Sequence, residues 1–286
     1  MPLERERQVI EATQGLPATA QSLANDLRDL GVEPGMPLIV HSSLSSLGWV
    51  VGGAQAVVMA LAQAVGEEGT LLMPTQTGGL SEPSVWQNPP VPEAWWPIIR
   101  EHMPAFDPGL TPTRGMGAIV ETFRTWPGTL RSAHPQLSFA ARGKLAGALL
   151  AGQTLNDGLG ERSPLARLYD HDGWVLLLGV GHDNNTSIHL AEYRAHYPGK
   201  EQREYAAPVM IDGRREWTTY LDIQFVTDDF PAIGDAFAQA TGLVAHGKVG
   251  QAQALLMPQR ELVDYAVMWM GLHRGIHTDL MGEGTE

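Results

Sequence analysis

The 286-residue chain contains no cysteine. Disulfides, thiolate metal sites and a cysteine nucleophile are excluded together. Any covalent intermediate would have to use serine, threonine, lysine or a carboxylate. Basic residues are scarce: 19 lysines and arginines face 32 acidic residues, for a formal net charge of −13. That balance disfavours a polyanionic partner such as nucleic acid and attracts cationic ligands at long range. Solubility alone accounts for such acidity in many proteins, so charge by itself selects no function. Long apolar runs are missing too; Val175–Leu178 and Ala54–Leu61 are far too short to cross a bilayer. Met1–Arg7 alternates charges where a secretory signal needs an apolar stretch. A cytoplasmic location is the expectation.

What is present is the composition of a globular protein, 43% hydrophobic and 18% charged, with enough length for a sizeable core. Leu23, Leu27 and Leu30 recur at helical spacing behind Thr19, a good cap. Pro37–His41 reads as a short buried strand, Ala54–Val65 as a helix, and Gly69–Met73 as a second strand ending at Pro74. Ser163–Tyr169 reads as a short helix before Trp174–Leu178, the clearest buried strand. Such alternation predicts a three-layer α/β/α sandwich with a central, largely parallel sheet. Residues 77–113 break the pattern with eight prolines and three tryptophans, Trp86, Trp95 and Trp96. They are expected to form either a lid or binding loop, or a rigid surface excursion pinned by its tryptophans. From about 203 to 275 an antiparallel, partly helical section is expected, with hairpin turns at Asp212-Gly213 and at His246-Gly247-Lys248 and a helix from Gln259. One domain over 1–286 accommodates all of this.

Chemistry-bearing residues gather at predicted strand ends. His41 closes the first strand, and His182 follows Trp174–Leu178 after Gly179-Val180-Gly181. Ligands of open α/β sheets bind beyond the carboxyl ends of the strands, though a histidine there also serves as a hydrogen-bonded structural residue. Asp183 to Thr186 lead into a helix on which His189, Glu192 and His196 are spaced by three and four. That spacing admits a metal site, but lacks the paired pattern of a zinc-protease helix. Glu192 is the better candidate for a carboxylate lining a cationic-substrate site. Asp222, within Tyr220–Ile223, alternates against Leu221 and Ile223 and is either a solvent-facing strand residue or a half-buried partner for a histidine. Ser42, Ser43, Ser45 and Ser46 follow the first strand, and Arg114-Gly115-Met116-Gly117 precedes a helical segment, Ala118–Phe123. Backbone N–H groups at a helix start attract phosphate, and Arg114 adds a bidentate donor.

Taken together, HSSLSSLG (41–48), GTLLMPT (69–75), TRGMGAIVETFR (113–124), RSAHPQLSFAARG (131–143), the long run from Glu161 to Glu192 containing GHDNNT and HLAE, and YLDI (220–223) resemble the aminoglycoside 3-N-acetyltransferase family over roughly residues 20–270. The resemblance implies acetyl-CoA as donor, no metal, and the 3-amino group of a 2-deoxystreptamine antibiotic as acceptor, with antibiotic resistance as the outcome. It implies His182 as the base, Asp222 as its assisting carboxylate, and His41 beside the thioester. Ser42, Ser43, Arg114, Gly115, Met116, Gly117, Ser132, His134 and Ser163 are then expected around the coenzyme, with Asp183 and Glu192 toward the acceptor. The alternatives are the same chemistry on another biosynthetic amine, a metal-assisted hydrolase, or a binding protein that has lost turnover.

Overall fold

Helix boundaries follow local chemistry in the computed structural model, which describes residues 2–275. In chain order, α1 (Pro2–Ala12) and α2 (Ala20–Leu30) precede β1 (Pro37–Ser42), α3 (Gly53–Val65) and β2 (Thr70–Pro74). Next come α4 (Trp96–His102), α5 (Gly117–Arg124), β3 (Leu130–Arg131), β4 (Phe139–Gly143) and α6 (Ala146–Leu150). The chain continues through α7 (Pro164–Asp170), β5 (Trp174–Leu178), α8 (Ser187–Arg194), β6 (Gln202–Ile211) and β7 (Arg214–Ile223). It closes with α9 (Phe230–Thr241), β8 (Ala245–Val249), β9 (Ala252–Pro258) and α10 (Gln259–His273). Thr19 caps α2 through a reciprocal capping box with Ser22, and Gly31 ends it in the left-handed conformation.

The main sheet has strand order β3-β4-β2-β1-β5-β9-β8. β2, β1 and β5 run parallel at its centre, and the outer ladders are antiparallel. With β4 and β9 alone reversed, five of the seven strands point one way. The predicted α/β sandwich is thus the observed fold. Alternation along β1 sends Leu38 and Val40 to one core and Ile39 to the other. The first core is closed by α2, α3 and α5. Helices α6 to α10 close the second.

The hairpin β6–β7 forms a separate two-stranded sheet turning at Asp212 and Gly213, both at positive φ. The second expected hairpin turn is misplaced. His246-Gly247-Lys248 lies inside β8, where Gly247 lets the strand approach Leu30 of α2. The chain reverses instead at Gly250, whose φ is +58° and whose N–H donates to Asp26.

Residues 77–113 hold two short 3₁₀ turns and α4. Arginines pin them to the body of the protein. Arg131 donates to Thr75, Ser138, Thr111 and Pro108. Arg215 reaches the carbonyls of Met103 and Arg100. The tryptophans do less: Trp95 is 55% exposed, and Trp86 bonds only locally, to Ser81. Among the described residues no helix is long and apolar enough to cross a membrane.

Candidate active site

β1 brings the first group of residues to the carboxyl edge of the sheet. Its neighbour β5 pairs with it through His41 and Ser42, and the Ser43 N–H extends that ladder to Leu178. Period-two alternation puts the His41 side chain on the face of α8 and α9, and Ser42 on the face of α3 and α5. His41 is 7% exposed, and burial, then repulsion from His189, lowers its pKa to about 3. Its Nε2 and the Ser42 Oγ are buried without a hydrogen-bond partner. Native proteins rarely leave such atoms unsatisfied, so each calls for a water or a ligand partner.

Beyond Ser42 opens a cavity of about 1000 Å³. Ser42, Ser43 and Leu44 form one wall, Gly52 and Gly53 at the start of α3 a second, and Gly115 to Ile119 at the start of α5 a third. Neither helix start has a side-chain cap, although the Gly53 N–H of α3 donates to the Val50 carbonyl; uncapped first-turn N–H groups suit an anion. Four of the expected coenzyme residues converge there beside Ser42: Ser43, Gly115, Met116 and Gly117. Arg114 is exposed just outside the lining, its N–H tied to the Gln76 carbonyl.

Ser132, His134 and Ser163 do not meet at this cavity. Ser132 bonds Gln153 and the Phe139 N–H. His134 accepts the N–H groups of Gln136 and Leu137 at Nδ1, and burial lowers its pKa to about 4. Ser163 caps α7. All three bond inside the fold, and none of them, though expected to frame the coenzyme, lines this cavity.

On the opposite face α8 presents His189 together with Glu192, the residue expected to line a cationic-substrate site. His189 Nδ1 lies 2.5 Å from Glu192 Oε2. Glu192 is fully buried, its other oxygen accepting from Arg274 at 2.8 Å and from the Val226 N–H at 3.0 Å. Glu192 therefore does not line an open cationic site; both oxygens are committed. A carboxylate on Nδ1 fixes that nitrogen as the donor and leaves the Nε2 lone pair of the neutral ring free. Phe225 and Phe230 hold the imidazole edge-on at 4.8 and 4.9 Å.

His182 is placed differently. It is 6% exposed, and burial lowers its pKa against the opposing pull of Asp235 and Asp183. Asn185 Nδ2 faces its Nδ1 at 3.3 Å, while Asn185 Oδ1 accepts from the Ser187 N–H. The amide therefore occupies the Nδ1 lone pair, and the neutral ring carries its proton on Nε2. Gly234 of α9 packs so tightly on the ring that any side chain there would overlap it. Asp183 is exposed next door.

Asp222 does not pair with His182. It is 3% exposed and accepts from the Tyr193 hydroxyl (2.7 Å) and the N–H groups of Gly158 (3.1 Å) and Ile223 (2.8 Å). Burial raises its pKa against those bonds. His196 is exposed, and among the described residues no three histidine or carboxylate groups are placed to hold a metal ion.

A cavity lined by two helix starts without side-chain caps thus lies on one face of the β1 end, and a buried histidine–carboxylate pair lies on the other. The family model for aminoglycoside 3-N-acetyltransferases matches residues 39–271, and the chain belongs to that family of acyltransferases. It is 48% identical to the SPbeta prophage-derived aminoglycoside N(3')-acetyltransferase-like protein YokD of Bacillus subtilis (strain 168), over 92% of this chain and 96% of the relative. The crystal structure of YokD aligns with a TM-score of 0.89, covering 92% of this chain and 97% of that one. Aminoglycoside N(3)-acetyltransferase VII of Streptomyces paromomycinus is 37% identical over 89% and 92% of the two chains. A structure described as AAC-IIIb binary with CoASH aligns with a TM-score of 0.82 at 33% identity, covering 91% and 99%.

Proposed function

We propose that this chain carries the acetyl group of acetyl-CoA to the 3-amino group of 2-deoxystreptamine aminoglycosides in the cytoplasm, conferring resistance. The observation that carries the reading is the His189–Glu192 pair, whose charge reaches His41, while Ser42, the next residue of the same strand end, lines the cavity. Coenzyme use is supported by the CoASH-bound relative and by the two uncapped helix starts facing the cavity. Those N–H groups suit coenzyme phosphates, and the orphaned Ser42 Oγ and His41 Nε2 suit its thioester end. The net charge of −13 favours a polycationic acceptor.

In this reading His189, not His182, is the base, because only His189 combines an orienting carboxylate with a free lone pair. The acceptor ammonium first loses one proton to solvent. Its neutral nitrogen then bonds to the thioester carbon while His189 Nε2 takes the proton that nitrogen sheds. The carbon–sulfur bond breaks, and the same proton passes to the departing thiolate, giving the amide and CoA thiol. Glu192 stabilises the imidazolium formed on the way, a role worth about 10²–10⁴-fold by general-base precedent. His41 stays neutral because its pKa is depressed to about 3, so its ring can donate to the developing oxyanion. His182 then orders the turn ahead of α8. Asp222 holds the hairpin to the Gly158 segment, and the exposed Asp183 offers negative charge to a cationic acceptor.

The test is thiol release from acetyl-CoA with a panel of aminoglycosides, including analogues lacking the 3-amino group. Release with the intact compounds and none with the analogues is expected. Release that ignores the 3-amino group, or that appears only with an unrelated amine, refutes the acceptor assignment.

A further inference from the structure

Arg274 stands just beyond α10, 82 residues from the carboxylate it binds. Its Nη1 donates to Glu192 Oε1 at 2.8 Å and to the Tyr197 hydroxyl at 3.1 Å. Its Nε and Nη2 grip both oxygens of Asp229 at 2.7 and 2.6 Å, and Nη2 also reaches the Val226 carbonyl. The side chain is 9% exposed. Burial opposes its charge, but Asp229 and Glu192 outweigh burial and hold it protonated. A chain of alternating charge results: Asp229, Arg274, Glu192, then the His189 ring.

We propose that Arg274 is a positioning residue that sets the basicity of His189 through Glu192. This rests on the reading of His189 as the base. A carboxylate alone on Nδ1 favours the charged form of an imidazole over the neutral one. Arg274 withdraws part of that negative field and fixes the carboxylate so that Oε2 faces the ring. Asp229 in turn decides how much of the arginine's charge Glu192 receives. Among the described residues, His41, Tyr197, Tyr205 and Lys200 also face this pair. His41 feels the His189 charge and stays neutral above about pH 3. The tuning charge is therefore Arg274.

The sign is testable in both directions. Removing the guanidinium leaves the Glu192 charge uncompensated beside the ring, so the acid limb of kcat/KM moves to higher pH. Removing the Asp229 charge frees more of Arg274 for Glu192, so the limb moves to lower pH. The experiment measures kcat/KM against pH for wild type, Arg274→Met, Arg274→Lys and Asp229→Asn, with a His189→Ala control. The expected shifts are about one unit upward for Arg274→Met, at the low end of what a neighbouring charge does, and a smaller downward shift for Asp229→Asn. Arg274→Lys should keep the limb near its wild-type position, and Asp229→Asn, with its own expected shift, serves if the methionine variant fails to fold. A purely structural arginine would lower kcat in each variant with the limb unmoved, or move both the same way; either result overturns the proposal. If His189→Ala turns over with the wild-type limb, the base assignment itself fails.

Discussion

Burial of neutral histidines should make this protein acid-labile well above the carboxylate range. The perturbation is a change from pH 7 to pH 5. An unfolded histidine titrates near pH ~6.5, whereas folded His41 and His134 titrate at about 3 and about 4. Their folded pKa values are lowered, so the unfolded chain binds more protons and stability falls as pH drops below about 6.5. Over those two units each ring costs about 2 kcal/mol, or about 4 kcal/mol together, against a typical total of about 5–15 kcal/mol. His182, also lowered by burial, adds to the loss. Asp157 and Asp222, raised by burial, bind protons first in the folded state and offset part of it as pH approaches their range. The loss should level off near pH 4 and below, as His134 and then His41 protonate in the folded protein. Denaturant unfolding at pH 7, 6 and 5 measures it. His134→Asn, which keeps an acceptor near the Gln136 and Leu137 N–H groups, should remove about half of the dependence on those two rings. A difference below about 1 kcal/mol between pH 7 and 5, or an unchanged dependence in His134→Asn, would refute the reasoning.

Two further outcomes follow from the site. Glu192→Gln should lower kcat by roughly 10²-fold or more with little change in KM for acetyl-CoA; a change confined to the acceptor KM would return Glu192 to substrate binding. Ala118→Glu, at the exposed start of α5 in the cavity wall, should weaken CoA binding at least about tenfold by setting a carboxylate where phosphate is attracted. Calorimetry giving unchanged CoA affinity in a folded Ala118→Glu protein would move the coenzyme elsewhere.

The parts of the fold written in local pattern could be read in advance. Trp174–Leu178 forms β5 at the predicted residues, and Ala54–Val65 falls within α3, because each packs an uninterrupted apolar surface. β8 was hidden by Gly247 and its flanking polar residues, which imitate a turn until Leu30 of α2 is seen to require the glycine. β3, two residues long, exists only through its pairing with β4. The site divides the same way. His41, Ser42 and the Arg114–Gly117 segment are recognisable at element ends, and Ser42 and Gly115 to Gly117 line the cavity. The His189–Glu192 pair was visible as a three-residue spacing, but its meaning depends on Arg274 and Val226, which no local window contains. His182 attracted attention through its glycines, yet Asn185 occupies the lone pair a base would need.

Steady-state thiol release by His189→Ala and His182→Ala, compared side by side with acetyl-CoA and an aminoglycoside at matched folded fractions, tests the account most directly. Loss of kcat by about 10²-fold or more in the first, with the second within about tenfold of wild type, is the predicted result. Full turnover without the position-189 imidazole, alongside an inactive position-182 variant, would contradict it.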